Sequence, residues 1–255
     1  MSSSATPFRP AAAAQRTAVS GGVVPGTEAA PAFTLTTPPR LRLPVLVAVP
    51  HAGRAYPQAV TARMRDAPLA QLRLEDRHVD RLGIAIARET GAALLLAHAP
   101  RALIDLNRAE DDIDWDMIEG GRPDDVVPPE HGQRSNARAR SGLGLVPRRL
   151  PGSGEIWRGR LCPAELAARI EGIHRSYHAA LAAELARIRA EWGAALLVDL
   201  HSMPPLRAGD GEVRAPVVVL GDRFGASCHN ALVGRALAHL EARAIPASQN
   251  RPYSG

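Results

Sequence analysis

Short apolar runs alternate with longer amphipathic stretches along most of this chain. Apolar runs flanked by proline, glycine or polar residues predict buried strands at residues 43–50, 92–97, 102–106, 195–200 and 215–220. Apolar residues at helical spacing predict helices at residues 74–89, 163–192 and 227–242. This alternation, without a repeat or a second core, predicts a single α/β domain. We expect its sheet to be mixed, mostly parallel, and covered by helices on both faces.

Two stretches fall outside the alternation. Residues 1–38 are rich in Ala, Ser, Thr, Pro and Gly and lack apolar periodicity, so we expect a disordered lead-in. They contain no continuous apolar segment of the kind found in signal peptides, and no transmembrane run appears, so we expect a cytoplasmic protein with no membrane partner. Residues 109–160 form a long polar stretch, and loops of that length tend to be functional.

Composition removes several classes of function. The net charge is +5, but all 31 basic residues are arginines scattered among acids, so we expect no nucleic-acid partner. The absence of lysine excludes a phosphate loop of the Gly-Lys-Ser/Thr type. The two cysteines, Cys162 and Cys228, are too few and too far apart for a disulfide scaffold or a cysteine zinc finger.

Two histidines each follow a predicted buried strand, His51 after residues 43–50 and His201 after residues 195–200. Side chains at the carboxyl ends of parallel strands meet at one edge of the sheet. Neutral imidazole is the commonest metal ligand, and catalytic zinc sites use about three protein ligands. A single histidine in such a position is often only a structural hydrogen-bonding group, but two of them indicate a metal site.

A carboxylate is the expected third ligand, and two candidates lie on the predicted helix. Asp76 and Asp80 are four residues apart and share one helical face. The alternative is that both simply favour the dipole at a solvated helix N-terminus. Asp199 shares a strand face with His201, so it could orient that imidazole by a hydrogen bond without binding the metal itself.

The pair Asn107-Arg108 follows another predicted strand and suggests a binding site for an anion. An arginine fork binds a carboxylate through two parallel hydrogen bonds. The alternative is a structural salt bridge between Arg108 and the neighbouring acids of residues 110–112.

Six segments, in this order, resemble the N-formylglutamate amidohydrolase family over about residues 38–255. They are Val-Pro-His51-Ala-Gly-Arg-Ala-Tyr-Pro, Glu-Asp76-Arg-His-Val-Asp80-Arg-Leu, Leu-Ile-Asp105-Leu-Asn-Arg108, Gly142-Leu-Gly-Leu-Val-Pro-Arg148, Val-Asp199-Leu-His201-Ser-Met-Pro and Asn250-Arg-Pro-Tyr-Ser-Gly255. The pair Tyr177-His178 also fits the family's pattern. The resemblance implies one family domain over residues 39–255, with a fold related to the zinc carboxypeptidases.

The resemblance further implies hydrolysis of a small N-acyl amino acid, most simply N-formylglutamate to formate and glutamate. It implies one zinc or other divalent cation per chain, held by His51, Asp76 and His201, with Asp80 as the alternative carboxylate. Zinc carboxypeptidases use a His-x-x-Glu pair, and Arg54 stands where that glutamate would be. The implied substrate-binding residues are Asn107, Arg108, Arg148 and Tyr253.

The family pattern continues beyond the Asn250–Gly255 segment and includes a later glutamate expected to act as the general base. No residue of this chain matches that glutamate, so we expect the domain to be incomplete at its C-terminus. The remaining candidates for the base are Glu75, His178 and Asp80. Two alternatives therefore stay open: a non-catalytic metal- or ligand-binding relic, and an amidohydrolase for another N-acyl amino acid.

Overall fold

The structure, a computed structural model of the 255-residue chain, describes residues 16–124, 126, 139, 141–207 and 214–255. Part of the predicted long loop at residues 109–160 therefore lies outside the described residues. The chain forms two compact units, Met1–Ser202 and Met203–Gly255. Among the described helices, none combines the length and the apolar composition needed to cross a lipid bilayer.

The first unit contains a five-stranded sheet, a small hairpin and helices on both sides of the sheet. Its strands are β1 (Thr17–Gly21), β2 (Phe33–Thr37), β3 (Val45–Val49), β4 (Ala93–Ala97), β5 (Arg149–Leu150), β6 (Gly154–Glu155) and β7 (Leu196–Asp199). Its helices are α1 (Gln58–Ala62), α2 (Ala67–Leu74), α3 (Val79–Thr90), a 3₁₀ turn (Trp115–Met117), α4 (Pro163–Arg169), a π-helix (Ile170–Arg175) and α5 (Ser176–Trp192).

The five-stranded sheet has the order β1-β2-β4-β3-β7. Strand β3 pairs in parallel with β4 and with β7, whereas β2 pairs antiparallel with β1 and with β4. The predicted mixed sheet is confirmed. It is not mostly parallel, because two of its four strand pairings are antiparallel.

Alternating side chains of the central strands supply two separate hydrophobic clusters. Leu46 and Leu95 point into the larger cluster, which Ile188 of α5 helps to form. Val47 and its neighbours on the other face pack against α3, where Ala87 is buried. Successive residues of a strand point to opposite faces, so each face needs its own cover. The predicted covering of both faces by helices is confirmed.

The expectation of a disordered lead-in is wrong for its later part. Residues 17–21 and 33–37 form β1 and β2 and extend the sheet beyond β4. Phe33 is buried and packs edge-to-face on Tyr177, with ring centroids 5.8 Å apart. Threonine-rich strands carry little apolar periodicity, so one buried aromatic anchors a segment that composition describes as polar. Residues 1–15 of the predicted lead-in lie outside the described residues.

The predicted strand at residues 102–106 is also wrong, because this segment forms turns. Its apolar side chains are buried, but the carboxylate of Asp105 accepts a hydrogen bond from the Asn107 N–H (2.9 Å). The Arg108 N–H donates to the Asp105 carbonyl (3.1 Å). Aspartate side chains that bond to the backbone two residues on favour turns over strands.

The other predicted elements are confirmed in type, with shifted boundaries. The strands at 43–50, 92–97 and 195–200 are β3, β4 and β7. The predicted burial of the last one is wrong, because β7 is the edge strand of the sheet, and its Leu197 and Val198 are 38% and 37% exposed. The helix at 163–192 is continuous but includes the π-helical turn. The helix predicted at 74–89 starts only at Val79, because His78 has a left-handed backbone (φ +70°) and separates it from α2.

The second unit contains β8 (Val218–Leu220), α6 (Asn230–Glu241) and β9 (Ala247–Gln249). The predicted strand and helix are both present, and β8 pairs in parallel with β9 in a two-stranded sheet. The buried carboxylate of Asp222 accepts from Asn250 Nδ2 (2.6 Å) and Gln249 Nε2 (3.0 Å). This predicted strand end is therefore occupied by hydrogen bonds inside its own unit.

Candidate metal centre

His51 and His201 meet at the carboxyl ends of two neighbouring strands. Strands β3 and β7 are parallel and paired so that Ala48 lies opposite Asp199. The residues that follow each strand therefore emerge side by side. The two imidazole centroids are 4.8 Å apart, as expected for parallel strands whose ends share one sheet edge.

Asp76 reaches the same place from the connection between α2 and α3. Its N–H donates to the His51 carbonyl (2.9 Å), which ties this turn to the end of β3. Its Oδ2 accepts from His201 Nδ1 (2.9 Å) and lies 3.8 Å from His51 Nδ1. Its Oδ1 accepts from the Ser202 hydroxyl (3.0 Å).

The structure thus brings together the three residues expected to bind a metal. One nitrogen from each histidine and one oxygen from Asp76 all lie within 4.8 Å of one another. We name this set the His51–Asp76–His201 group. Two of its members come from strand ends and one from a turn, so the sequence separation between members is as large as 150 residues, from His51 to His201.

The orientation of His51 leaves one ring nitrogen without a partner. Its Nε2 is 2.8 Å from Asp105 Oδ1, whereas its Nδ1 is buried and forms no hydrogen bond. Burial, only partly offset by Asp105, lowers the pKa of His51 and favours the neutral ring. The Nε2–H then donates to Asp105, and the Nδ1 lone pair is directed towards Asp76.

Asp105 was not assigned a role from the sequence, yet it is the acceptor that orients His51. Burial opposes its ionisation, but His51, Arg101 and Arg108 hold the pKa of Asp105 well below its usual range. Arg101 Nη2 is 2.8 Å from its Oδ2. A signal was present: an acid between Ile104 and Leu106 in an apolar run has to be paired when it is buried.

His201 is held by two carboxylates. Its Nε2 lies 3.1 Å from Asp199 Oδ2, and Asn107 Nδ2 is 2.8 Å from both of those atoms. Burial disfavours its charged form, but the hydrogen bonds with Asp199 and Asp76 outweigh burial and raise the pKa of His201 to about 9. The surroundings of this ring therefore favour positive charge.

The group fits a divalent cation. The unprotonated Nδ1 of His51 and the Oδ2 of Asp76 are both acceptors, and they face each other across 3.8 Å. Acceptors that face each other in a buried place need a cation or a proton between them. Two imidazole nitrogens and one carboxylate oxygen are a donor set that zinc uses in proteins.

Two acids considered from the sequence have other partners. Asp80, the alternative metal ligand, forms an ion pair with Arg54 (2.9 Å). Glu75, a candidate base, is buried and pairs with Arg77 (3.2 Å). Neither belongs to the His51–Asp76–His201 group, so the structure brings Asp76 and not Asp80 to the histidines.

The segment Asp105–Arg108 carries several polar groups to the edge of this site. Arg108 Nε donates to the Leu143 carbonyl (3.1 Å) and lies 3.8 Å from Asp105 Oδ2. The alternative partner Glu110 instead forms an ion pair with Arg175. His178, another candidate base, donates from Nε2 to the Leu106 carbonyl (3.0 Å).

The remaining predicted substrate-binding residues have different surroundings. Arg148 Nε lies 2.9 Å from Asp114 Oδ2, and both side chains are largely buried. Tyr253 belongs to the second unit, where its side chain is exposed.

Comparison with known proteins gives a consistent result. Residues 43–255 match the family model described as N-formylglutamate amidohydrolase. The chain is 34% identical over 202 residues to an N-formylglutamate deformylase of Pseudomonas aeruginosa, covering 77% of this chain and 65% of that protein. It is 34% identical over 203 residues to the N-formylglutamate deformylase of Pseudomonas putida, covering 76% and 64%. The chain therefore spans just under two thirds of the length of these relatives.

Two solved structures resemble the fold. The crystal structure of an N-formylglutamate amidohydrolase from Ralstonia eutropha JMP134 aligns with a TM-score of 0.74 at 34% identity, covering 88% of this chain and 78% of that one. The gene product Atu2144 from Agrobacterium tumefaciens aligns with a TM-score of 0.57 at 18% identity, covering 84% and 71%. The second likeness concerns the fold alone.

Proposed function

We propose that this chain, which belongs to the N-formylglutamate amidohydrolase family, hydrolyses the amide bond of an N-acyl amino acid. N-formylglutamate is the first candidate substrate. The relatives' names supply the substrate class. The observation that carries the proposal is the buried, unpartnered Nδ1 of His51, which faces the carboxylate of Asp76.

His51, Asp76 and His201 would hold a divalent cation, and zinc suits their donor set. When bound, such a cation supplies Lewis-acid polarisation of an amide carbonyl and a lowered pKa for a water molecule. The fold proposed with this site is of the zinc-carboxypeptidase type. Its support is the position of the His51–Asp76–His201 group at the carboxyl ends of the parallel strands β3 and β7.

The residues around the group orient both imidazoles, but only His51 presents an unprotonated nitrogen, and His201 would have to release the Nδ1 proton that it donates to Asp76 before that nitrogen binds a cation. Asp105 accepts a hydrogen bond from the Nε2–H of His51, which leaves Nδ1 of the neutral ring unprotonated. Asp199 lies 3.1 Å from the Nε2 of His201 and can accept a hydrogen bond from it in the same way. Carboxylates behind ligating histidines fix the tautomer and the ring orientation.

Arg108 is the proposed partner of the substrate's carboxylate. It follows Asn107, which contacts His201 and Asp199, and its Nε lies 3.8 Å from Asp105, the hydrogen-bond partner of His51. A guanidinium that binds a carboxylate through two hydrogen bonds would orient the scissile amide. The substrate-binding roles of Arg148 and Tyr253 stay predictions.

A second candidate function is ligand binding without turnover. Hydrolysis needs a group that takes a proton from water and passes it to the leaving amine. The candidates Glu75, Asp80 and His178 each have another hydrogen-bonding partner in the structure. This observation favours a chain that binds metal and substrate but turns the substrate over slowly.

Metal titration and product release test both candidates. We expect the purified chain to take up one zinc ion and the His51→Ala variant to lose that uptake. Formate released from N-formyl-L-glutamate by the zinc-loaded chain, and lost after chelation, would support hydrolysis. Zinc uptake without formate release would support the second candidate. Zinc uptake equal in the two proteins would overturn the proposed metal site.

A further inference from the structure

Two histidines outside the metal group bind the backbone of the segment that carries Asp105, Asn107 and Arg108. We propose that His174 and His178 are positioning residues: together they clamp this segment and thereby hold the partners of both ligand histidines in place. The inference rests on the proposed metal site. It concerns the helix behind that site and not the ligands themselves.

The clamp consists of two hydrogen bonds one helical turn apart. His178 Nε2 lies 3.0 Å from the Leu106 carbonyl, and His174 Nε2 lies 2.9 Å from the Arg108 carbonyl. A carbonyl can only accept, so each ring must carry its proton on Nε2. The two rings also contact each other, with centroids 4.4 Å apart.

A third donor on the same helix binds the chain just before this segment. Arg169, only 1% exposed, donates from Nη1 to the Leu103 carbonyl (2.9 Å). The helix thus offers three side-chain donors to the carbonyls of residues 103, 106 and 108. These residues form turns and not a strand, and buried irregular backbone has to find such partners.

The local geometry of the helix suits this role. His174 lies in the π-helix Ile170–Arg175, whereas His178 lies in α5. Single π-helical turns inside an α-helix are rare and are frequent at functional sites. The π-helical turn lies between Arg169 and His178. At this point the side-chain donors of the helix have to match the spacing of the carbonyls in the irregular segment 103–108.

The clamped segment links the helix to both ligand histidines. Its Asp105 accepts from His51, and its Asn107 contacts His201 and Asp199. A shift of Leu106 or Arg108 would therefore move the acceptor that keeps His51 Nδ1 unprotonated. Loss of such supporting contacts typically lowers metal affinity about 10- to 100-fold.

The test compares variants of His178 that keep or remove its hydrogen-bond donor. His178→Gln retains an N–H donor at a similar distance from the backbone, whereas His178→Leu removes the donor. If the leucine variant does not fold, His178→Asn replaces it, because its shorter side chain cannot bring the donor to the Leu106 carbonyl. His98→Leu is the matched control, because His98 is partly buried and its ring bonds to the Thr34 hydroxyl (2.7 Å) and not to the Asp105–Arg108 segment. Each protein is assayed for zinc affinity, for amide hydrogen exchange and for the free energy of unfolding.

We expect His178→Leu or His178→Asn to weaken zinc binding about 10-fold or more. Amide exchange at Asn107 and Arg108, whose N–H groups bond to Asp105, should rise about 2- to 10-fold, as for loss of one hydrogen bond. His178→Gln should restore both values, and His98→Leu should change neither. If hydrolysis is measurable, kcat should fall more than KM rises.

Zinc affinity and exchange at residues 107 and 108 that stay at the wild-type level in His178→Leu would overturn the clamp. So would equal losses in His178→Gln and His178→Leu, or an equal loss in His98→Leu, since these would reflect stability alone. The exchange measurement needs neither metal nor substrate. Failure of the proposed function would therefore appear as absent zinc uptake in the wild-type chain, with the exchange result unaffected.

Discussion

Two buried aspartates, one in each unit, have opposite surroundings. Asp105 and Asp222 are both about 1% exposed. The oxygens of Asp222 are bonded by the side-chain amides of Asn250 and Gln249 from the same unit. Those of Asp105 are bonded by Arg101 and by His51, whose other ring nitrogen has no hydrogen-bond partner.

The difference separates a structural carboxylate from one that prepares a site. The hydrogen bonds of the Asp222 carboxylate end on the side-chain amides of Asn250 and Gln249, so this carboxylate stabilises a turn. The Asp105 network continues through His51 to a lone pair that faces another acceptor. Buried polar groups are nearly always paired, and an unpaired nitrogen that faces another acceptor indicates a place for a ligand.

The largest effect expected is the loss of zinc binding on Asp76→Asn. Replacing the proposed charged ligand should lower zinc affinity more than about 100-fold, beyond the range typical of supporting residues. Competition with a chromophoric chelator measures it. Asp80→Asn is the control, because Asp80 pairs with Arg54, and its zinc affinity should stay near the wild-type value. Equal affinities in the two variants would show that Asp76 is not a ligand.

The next effect tests the two aspartates against each other. Asp105→Asn should lower zinc affinity about 10- to 100-fold, because an amide can donate to His51 Nε2 and so move the ring proton to Nδ1. Asp222→Asn should leave zinc affinity unchanged but cost about 1–3 kcal/mol of unfolding free energy, because it sets an amide against amide donors. Chelator competition and urea unfolding measure these values, and the reverse outcome would refute the distinction.

A smaller effect is expected for Arg108→Lys, with Arg175→Lys as its control. Loss of a bidentate contact should raise the dissociation constant of N-formylglutamate about 10-fold in the zinc-loaded chain, measured by calorimetry. Arg175 is an exposed partner of Glu110 and Glu171, and surface ion pairs contribute little. Unchanged affinity in Arg108→Lys would remove Arg108 from the substrate site.

The smallest effect compares helix glycines of the two units. A Cβ at Gly83 of α3 would lie 2.7 Å from Val49 Cγ2, whereas at Gly234 of α6 no described atom comes within 4 Å. Overpacking should outweigh better helix propensity, so Gly83→Ala should destabilise by about 1 kcal/mol. Gly234→Ala should stabilise by about 0.5–1 kcal/mol. Denaturant unfolding measures both, and stabilisation by Gly83→Ala would show that α3 can move away from the sheet.

The elements predicted most successfully were those with strong apolar periodicity, namely β3, β4, β7 and the long helix from residue 163. Elements whose partners are distant in sequence were missed. Strand β2 pairs with β4, and its Phe33 packs against Tyr177, 144 positions away, and no local pattern contains these contacts. The turn at residues 102–106 resembles a strand in sequence because its side chains are as apolar as a strand's, but its backbone follows the hydrogen bonds of Asp105, its one polar residue.

The residues of the candidate site also divide into those that local sequence patterns predict and those that depend on distant contacts. His51 and His201 could be found from the sequence because each follows an apolar strand, and parallel strands bring their ends together. Asp76 could not be separated from Asp80 by helical spacing, because the helix begins only at Val79 and Asp76 lies in the turn before it. Asp105 was visible in its segment, but its role depends on the direction of the His51 ring.

The amino-acid sequence by itself therefore determined where the apolar strands β3, β4 and β7 lie, which residues follow them, and the family resemblance carried by those short segments. Hydrophobic periodicity is local, and it can be read from neighbouring positions. Only the tertiary structure decided that Asp76 reaches the histidines, that Asp105 orients His51, and that His174 and His178 bind the segment between them. These contacts join residues 54 to 125 positions apart. Their distances and ring orientations are set by packing of the whole unit, which no local pattern specifies.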